Sequence, residues 1–182
     1  MLKHNSKLRA EARESLKGKW TTGAVISLIY MLLSSVCPLL ITPVMKYGLA
    51  VACLKSVKGR ALKTSDIFVG FRNYITILIP MLLVYLYVIL WSLLLIIPGI
   101  VKFYSYAMTP YLLYENPALG ADTLICKSMN MMKGNKMKLF LLDLSFIGWG
   151  LLCVLSLGIG FLWLIPYVQS ARSAFYEDLR TA

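Results

Sequence analysis

Between Asn73 and Tyr114 the chain runs for 42 residues with a single charged side chain, Lys102. One continuous helix of that length would reach ~63 Å at ~1.5 Å per residue, about twice the ~30 Å hydrocarbon core of a bilayer. The run therefore has to turn back on itself. Pro98-Gly99 is the natural place, since proline removes a backbone donor and glycine accepts the dihedrals of a tight reversal. Lys102 then falls at a membrane surface, where its ammonium reaches water while its stem stays among apolar groups.

Two other stretches obey the same arithmetic. Thr21–Leu54 spans 34 residues with one charge, Lys46, and carries prolines at 38 and 43. Leu139–Ala171 spans 33 residues with one charge, Asp143, and offers a turn at Gly158-Ile159-Gly160. Each is too long for one span and about right for two. Six transmembrane helices are expected, roughly 21–37, 44–58, 74–97, 100–115, 138–157 and 161–178, paired in hairpins at about 21–58, 74–115 and 138–178. The fifteen residues of helix 44–58 would reach only ~22 Å, short enough for a tilted, interfacial or re-entrant segment. The expected fold is all-α: one polytopic membrane domain over 1–182, opened by a basic amphipathic segment, 1–20. Composition agrees, since a soluble domain of 182 residues cannot hide a sequence that is 59% hydrophobic and 15% charged.

A weak threefold repeat precedes the hairpins. ESLKGKW (14–20), IFVGFRNY (67–74) and NMMKGNKMKLF (130–140) each combine apolar residues, a glycine (Gly18, Gly70, Gly134), basic residues and an aromatic. Leu8, Ala12, Leu16 and Trp20 form one apolar stripe at i, i+4 steps in the first lead-in. Thr64-Ser65-Asp66 and Asp122-Thr123 supply helix N-cap types for the other two, and Glu115-Asn116-Pro117 ends the fourth helix.

Orientation follows from charge. With both termini cytoplasmic, 17 of the 19 basic residues lie inside and only Lys46 and Lys102 lie on the outer side. Much of the net charge of +11 then forms a girdle attracted to the anionic headgroups of the lipid bilayer. Nucleic acid is not expected as a partner, because no groove-reading or stacking surface accompanies the charge. Cys37, Cys53, Cys126 and Cys153 share no short spacing, and the only histidine, His4, lies in the polar N-terminal tail. No metal, cofactor or catalytic pair is expected from such a set. The first apolar run reads as a retained span rather than a signal peptide, because about twenty mostly polar residues precede it and no A-x-A-like site closes it.

The stretches IPGIVKFYSYAMTPYLLYENP (97–117), MMKGNKMKLFLLDLSFIGWGLL (131–152), GIGFLWLIPY (158–167) and AFYEDL (174–179) resemble a bacterial integral-membrane family catalogued as domain of unknown function 975. That family is similar in layout to the membrane domain preceding some glycerophosphodiester phosphodiesterases. The resemblance implies a polytopic helical protein of a bacterial, Gram-positive plasma membrane. It implies no activity and no catalytic residues.

Four residues form the candidate intramembrane polar or ligand site: Asp143, Lys102, Lys46 and Arg172. A mid-membrane aspartate would suggest a proton or ion path, whereas one near the interface can pair with Lys138 or Arg172. Under the first reading Asp143→Asn abolishes function without lowering abundance, and under the second abundance falls. Lys46 and Lys102 follow the prolines of two equivalent turns, either as a pair of cations at an outer mouth or as snorkelling flanks. Pro80, Pro110 and Pro166 lie within spans, as kinks or as the broken helices of a substrate site. Tyr104, Met108 and Tyr111 form a stripe that either packs helix on helix or lines an amphipathic groove. The overall expectation is a non-enzymatic membrane module that associates with lipid or a membrane-protein partner. The alternatives are a small transporter, exporter or immunity-type protein for an amphipathic molecule, or a lipid-modifying enzyme in which Asp143 and Glu115 approach one another.

Overall fold

The computed structural model describes residues 3–36 and 38–181, and these are helical with no strand. The helices are α1 (Asn5–Ser15), α2 (Trp20–Val36), α3 (Pro38–Val57), α4 (Val69–Arg72), α5 (Tyr74–Leu94), α6 (Ile96–Ser105), α7 (Thr109–Glu115), α8 (Ala121–Met131), α9 (Lys136–Leu144), α10 (Ile147–Leu155) and α11 (Phe161–Thr181). A 3-10 turn over Thr64–Phe68 leads into α4. Three stretches are long and apolar enough to cross a membrane: Leu40–Val57, Tyr74–Leu93 and Lys136–Leu155, the last running through α9 and α10. Trp20–Ser35 is apolar but shorter.

Several expected boundaries move, for identifiable reasons. The second reversal occurs at Leu95, which is fully extended (φ −162°, ψ 141°), and not at Pro98-Gly99. Pro98 lies in the first turn of α6, where a missing N–H costs nothing. Gly99 serves close packing instead: a Cβ there would come 2.8 Å from the Cα of Ser92 on α5. The expected helix 100–115 is broken at Tyr106–Met108. Ser128 of α8 bridges that break, donating to the Ser105 carbonyl (2.9 Å) and accepting from the Met108 N–H (3.2 Å). The expected helix 138–157 is likewise broken at Ser145-Phe146, where the Ser145 hydroxyl donates to the Leu142 carbonyl at 2.6 Å. In place of a short helix 44–58, α3 has 20 residues, with Pro43 inside it rather than in a turn. Pro80 and Pro166 are internal to α5 and α11, but Pro110 sits in the first turn of α7. The turn at 158–160 forms, with Leu157 and Gly158 both at positive φ. Cys37 is outside the described residues.

The packing repeats three times. The lead-ins α1, Thr64–Phe68 with α4, and α8 lie respectively on α11, α3 and α7. Each is thus seated on the return helix of the preceding pair, and α1 closes the circle. The outgoing helices follow the same rule: α2 rests on α3 and α11, α5 on α6 and α3, and the α9–α10 segment on α11 and α6. The return helices α3, α7 and α11 form most of the inside of the bundle, whereas α6 leaves Ile96 and Ile97 76% exposed. Across the Leu40–Val57 stretch 67% of residues are buried, against 17% across Tyr74–Leu93 and 22% across Lys136–Leu155. On α1, Leu8, Ala12 and Leu16 are fully buried, while Trp20 meets Tyr167 edge-on at 6.1 Å.

The C-terminal ends of the three return helices meet in one ionic cluster. Lys58, just after α3, donates to Glu115 Oε1 at the end of α7 (2.6 Å) and lies 3.0 Å from Glu177 Oε1 on α11. Tyr176 donates to the other Glu115 oxygen (2.6 Å), and Arg180 donates to Glu177 (3.0 Å). Glu115→Gln removes the charge that Lys58 and Tyr176 both address and should lower the unfolding midpoint, at a cost of about 1–2 kcal/mol. A midpoint unchanged in the variant would exclude Glu115 as the centre of the cluster.

Candidate ligand cavity

Three of the four candidate site residues come together and one does not. Asp143 near the end of α9 accepts three hydrogen bonds: Arg172 Nε to Oδ1 (3.0 Å), Arg172 Nη2 to Oδ2 (2.7 Å) and Tyr104 hydroxyl to Oδ2 (3.2 Å). The Arg172 contact is the planar two-pronged pairing that fixes both partners' orientation. No ion pair with Lys138 is found among the described residues. Asp143 and Glu115 have separate partners, so the structure joins them in no acid–base pair.

Arg172 also borders a cavity of about 270 Å³ that Lys46 shares. The return helices α3, α7 and α11 all reach it, through Lys46, Tyr111 and Gln169, and α5 supplies an apolar wall that includes Met81, Val84 and Val88. Gln169 donates its amide to the Tyr111 hydroxyl (2.8 Å). The Lys46 ammonium faces the rings of Tyr85 and Phe103, 5.7 and 5.8 Å from their centroids, a distance at which a ring face still attracts a cation. Among the described residues no carboxylate lies within ion-pair distance of Lys46. Because Asp143 neutralises only one of the two cations, the lining carries an excess positive charge.

Lys46 is the ninth residue of the 20-residue α3, which places it ~12 Å from one end of the helix and ~17 Å from the other. That is near mid-helix, and not the flank expected from its distance to Pro43. Lys102 lies apart. Its Nζ sits 4.6 Å from the Trp91 ring and 5.9 Å from that of Tyr106, and although Tyr106 lines the cavity Lys102 itself does not. The two lysines therefore do not form one paired mouth.

Sequence reasoning singled out Tyr104 and Tyr111 as a stripe. It missed Gln169, Thr109 and the α5 wall, since none differs in type from ordinary residues of an apolar helix. It also missed that Lys58, Glu115 and Glu177 end three different helices at one level. The only available signal was that each follows its apolar run within six residues.

No group of three or more metal-ligating side chains occurs among the described residues. A family model described as a protein of unknown function (DUF975) matches residues 95–182, the stretch that holds all four sequence blocks named above. No curated protein and no solved structure matches the chain. The match supports that family of unknown function for the part of the chain running from Leu95 at the head of α6 to the C-terminus.

Proposed function

We propose that the chain is a non-enzymatic, multi-pass protein of the bacterial plasma membrane, with six helices in three hairpins and both termini cytoplasmic, that associates with lipid or with a membrane-protein partner. The supporting observation is the division between inner and outer helices. Ile75, Leu93 and Leu155 on the outgoing helices are 70%, 78% and 80% exposed, and Ile96 and Ile97 on α6 76%, whereas most fully buried residues lie on the lead-in helices and on α3, α7 and α11. Contiguous apolar surface of this extent is costly in water and matched by lipid tails. Of the remaining return segments, α11 has 21 residues, enough for ~30 Å, and 96–115 is divided between α6 and α7; hydropathy alone singles out neither.

Carbonate extraction should leave the protein in the membrane fraction, and release into the supernatant would overturn the reading. Orientation has a native probe in Cys126, whose side chain is exposed on α8. An impermeant maleimide should leave Cys126 unlabelled in intact cells and label it once they are opened. Labelling of intact cells would invert the topology. A second reading, transport or export of an amphipathic molecule, is favoured by the cavity with its mid-helix lysine.

A further inference from the structure

We infer that the cavity between α3, α5, α7 and α11 binds one alkyl chain of an amphiphile with an anionic head, held at Lys46 with that chain along the α5 wall. This rests on the membrane reading above. Four observations converge on it. Inserting a lysine at the centre of a span is costly, and such residues face a partner or a cavity. Lys46 has no carboxylate within reach, only two ring faces. Arg172, the other cation at the cavity, is fixed in place by its two-pronged bond to Asp143. The Thr109 hydroxyl, fully buried and bordering the same space, has no hydrogen-bond partner among the described residues.

An orphaned hydroxyl and an uncompensated ammonium lining one cavity call for an acceptor. A carboxylate or phosphate supplies one, with the negative charge the lining lacks. Apolar residues on α5 and Phe103 fit an alkyl chain and nothing more polar. At about 270 Å³ the space lies just under the ~300–1,000 Å³ of ordinary ligand sites, which suits one chain rather than two. The head can come from a bilayer lipid or from a free fatty acid, and the chemistry at Lys46 is the same.

The test uses the full chain in neutral phosphatidylcholine nanodiscs, with radiolabelled laurate as the probe and dodecanol as the uncharged competitor. Laurate should bind saturably, and dodecanol should displace it roughly ten- to hundredfold less well than unlabelled laurate, the margin of a charge-assisted contact. Lys46→Met and Lys46→Gln should lose a comparable factor in laurate affinity, whereas Lys102→Met should not. Without laurate, Lys46→Met should raise the unfolding midpoint, because an uncompensated charge leaves the interior. A residue kept only for structure would move the midpoint the other way. Adding phosphatidylglycerol to the discs distinguishes the sources. Loss of laurate binding that depends on Lys46 identifies a bilayer lipid as occupant, and unchanged binding identifies a free amphiphile. Equal displacement by dodecanol and laurate, or full laurate affinity in both Lys46 variants, would overturn the inference. A membrane-integrated protein that fails in this way sinks the cavity assignment alone, whereas release by carbonate sinks the membrane reading beneath it.

Discussion

Asp143→Ala is expected to destabilise the protein by about 3–5 kcal/mol, the usual consequence of removing one partner from a buried ion pair. The side chains of Asp143 and Arg172 are 16% and 23% exposed, so neither charge has ready access to water. Removing the carboxylate strands a guanidinium whose Nε and Nη2 both donate to it, and it also takes the acceptor from Tyr104. Asp143→Asn should be nearly as damaging, since an amide keeps an acceptor but not the charge. The double variant Asp143→Leu/Arg172→Met should recover most of the loss, because apolar residues of similar volume often replace a buried pair without penalty. Unfolding midpoints in nanodiscs, together with protein abundance in cells, measure all of these. Unchanged midpoints in both single variants would mean that the carboxylate is not the anchor of Arg172. A fall in both midpoint and abundance is the outcome that separates a structural pair from a transport carboxylate.

The two cations of the cavity thus differ in kind. Arg172 is compensated and fixed, whereas Lys46 carries the positive charge left over. A mid-helix lysine that only decorated an interior would be expected to pair, as Lys55 does with Asp66 (2.7 Å) and Lys58 does with Glu115. Those pairs lie at or near the C-terminal end of α3, twelve residues beyond Lys46 for the second. At the cavity the Arg172–Asp143 pair leaves Lys46 out, and its ammonium faces only the Tyr85 and Phe103 rings.

The all-helical class and the presence of apolar stretches long enough to cross a membrane were legible, because long runs with one charge each leave little but helix to satisfy their backbone. The boundaries were less so. Pro98-Gly99 resembles a turn in sequence, yet proline is equally at home in a helix's first turn, and glycine equally permits close packing. Only the Ser92 contact tells which applies. The breaks at Tyr106–Met108 and Ser145-Phe146 carry no local breaker, since Ser128, which supports the first, is some twenty residues away in sequence. Lys46 was visible as an isolated charge, but its depth was misjudged because Pro43 was taken to lie in the turn. Its cavity partners Thr109 and Gln169 were invisible, because membership of a cavity depends on which helices meet and not on residue type.

Gly48→Ala should be the most damaging small substitution in the chain, destabilising it by at least about 3 kcal/mol, at the top of the range for overpacking. An added Cβ would overlap the carbonyl oxygen of Ile67 and come 2.7 Å from its carbonyl carbon and 2.9 Å from its Cα. The obstruction is backbone, so no rotamer change relieves it and Ile67→Ala cannot rescue it. Relief requires α3 to move away from the Thr64–Phe68 turn. Gly150 on α10 provides the contrast: no heavy atom lies within 4 Å of its added Cβ, and Gly150→Ala should stabilise by roughly 0.5–1 kcal/mol through helix propensity. Equal midpoints for the two variants would mean that α3 and the turn do not approach this closely. Gly48 lies two residues from Lys46, so any displacement that accommodates the methyl group also shifts the ammonium relative to Arg172 and Thr109. Whatever fraction of Gly48→Ala remains folded should bind laurate more weakly than wild type, whereas Gly150→Ala should bind it unchanged.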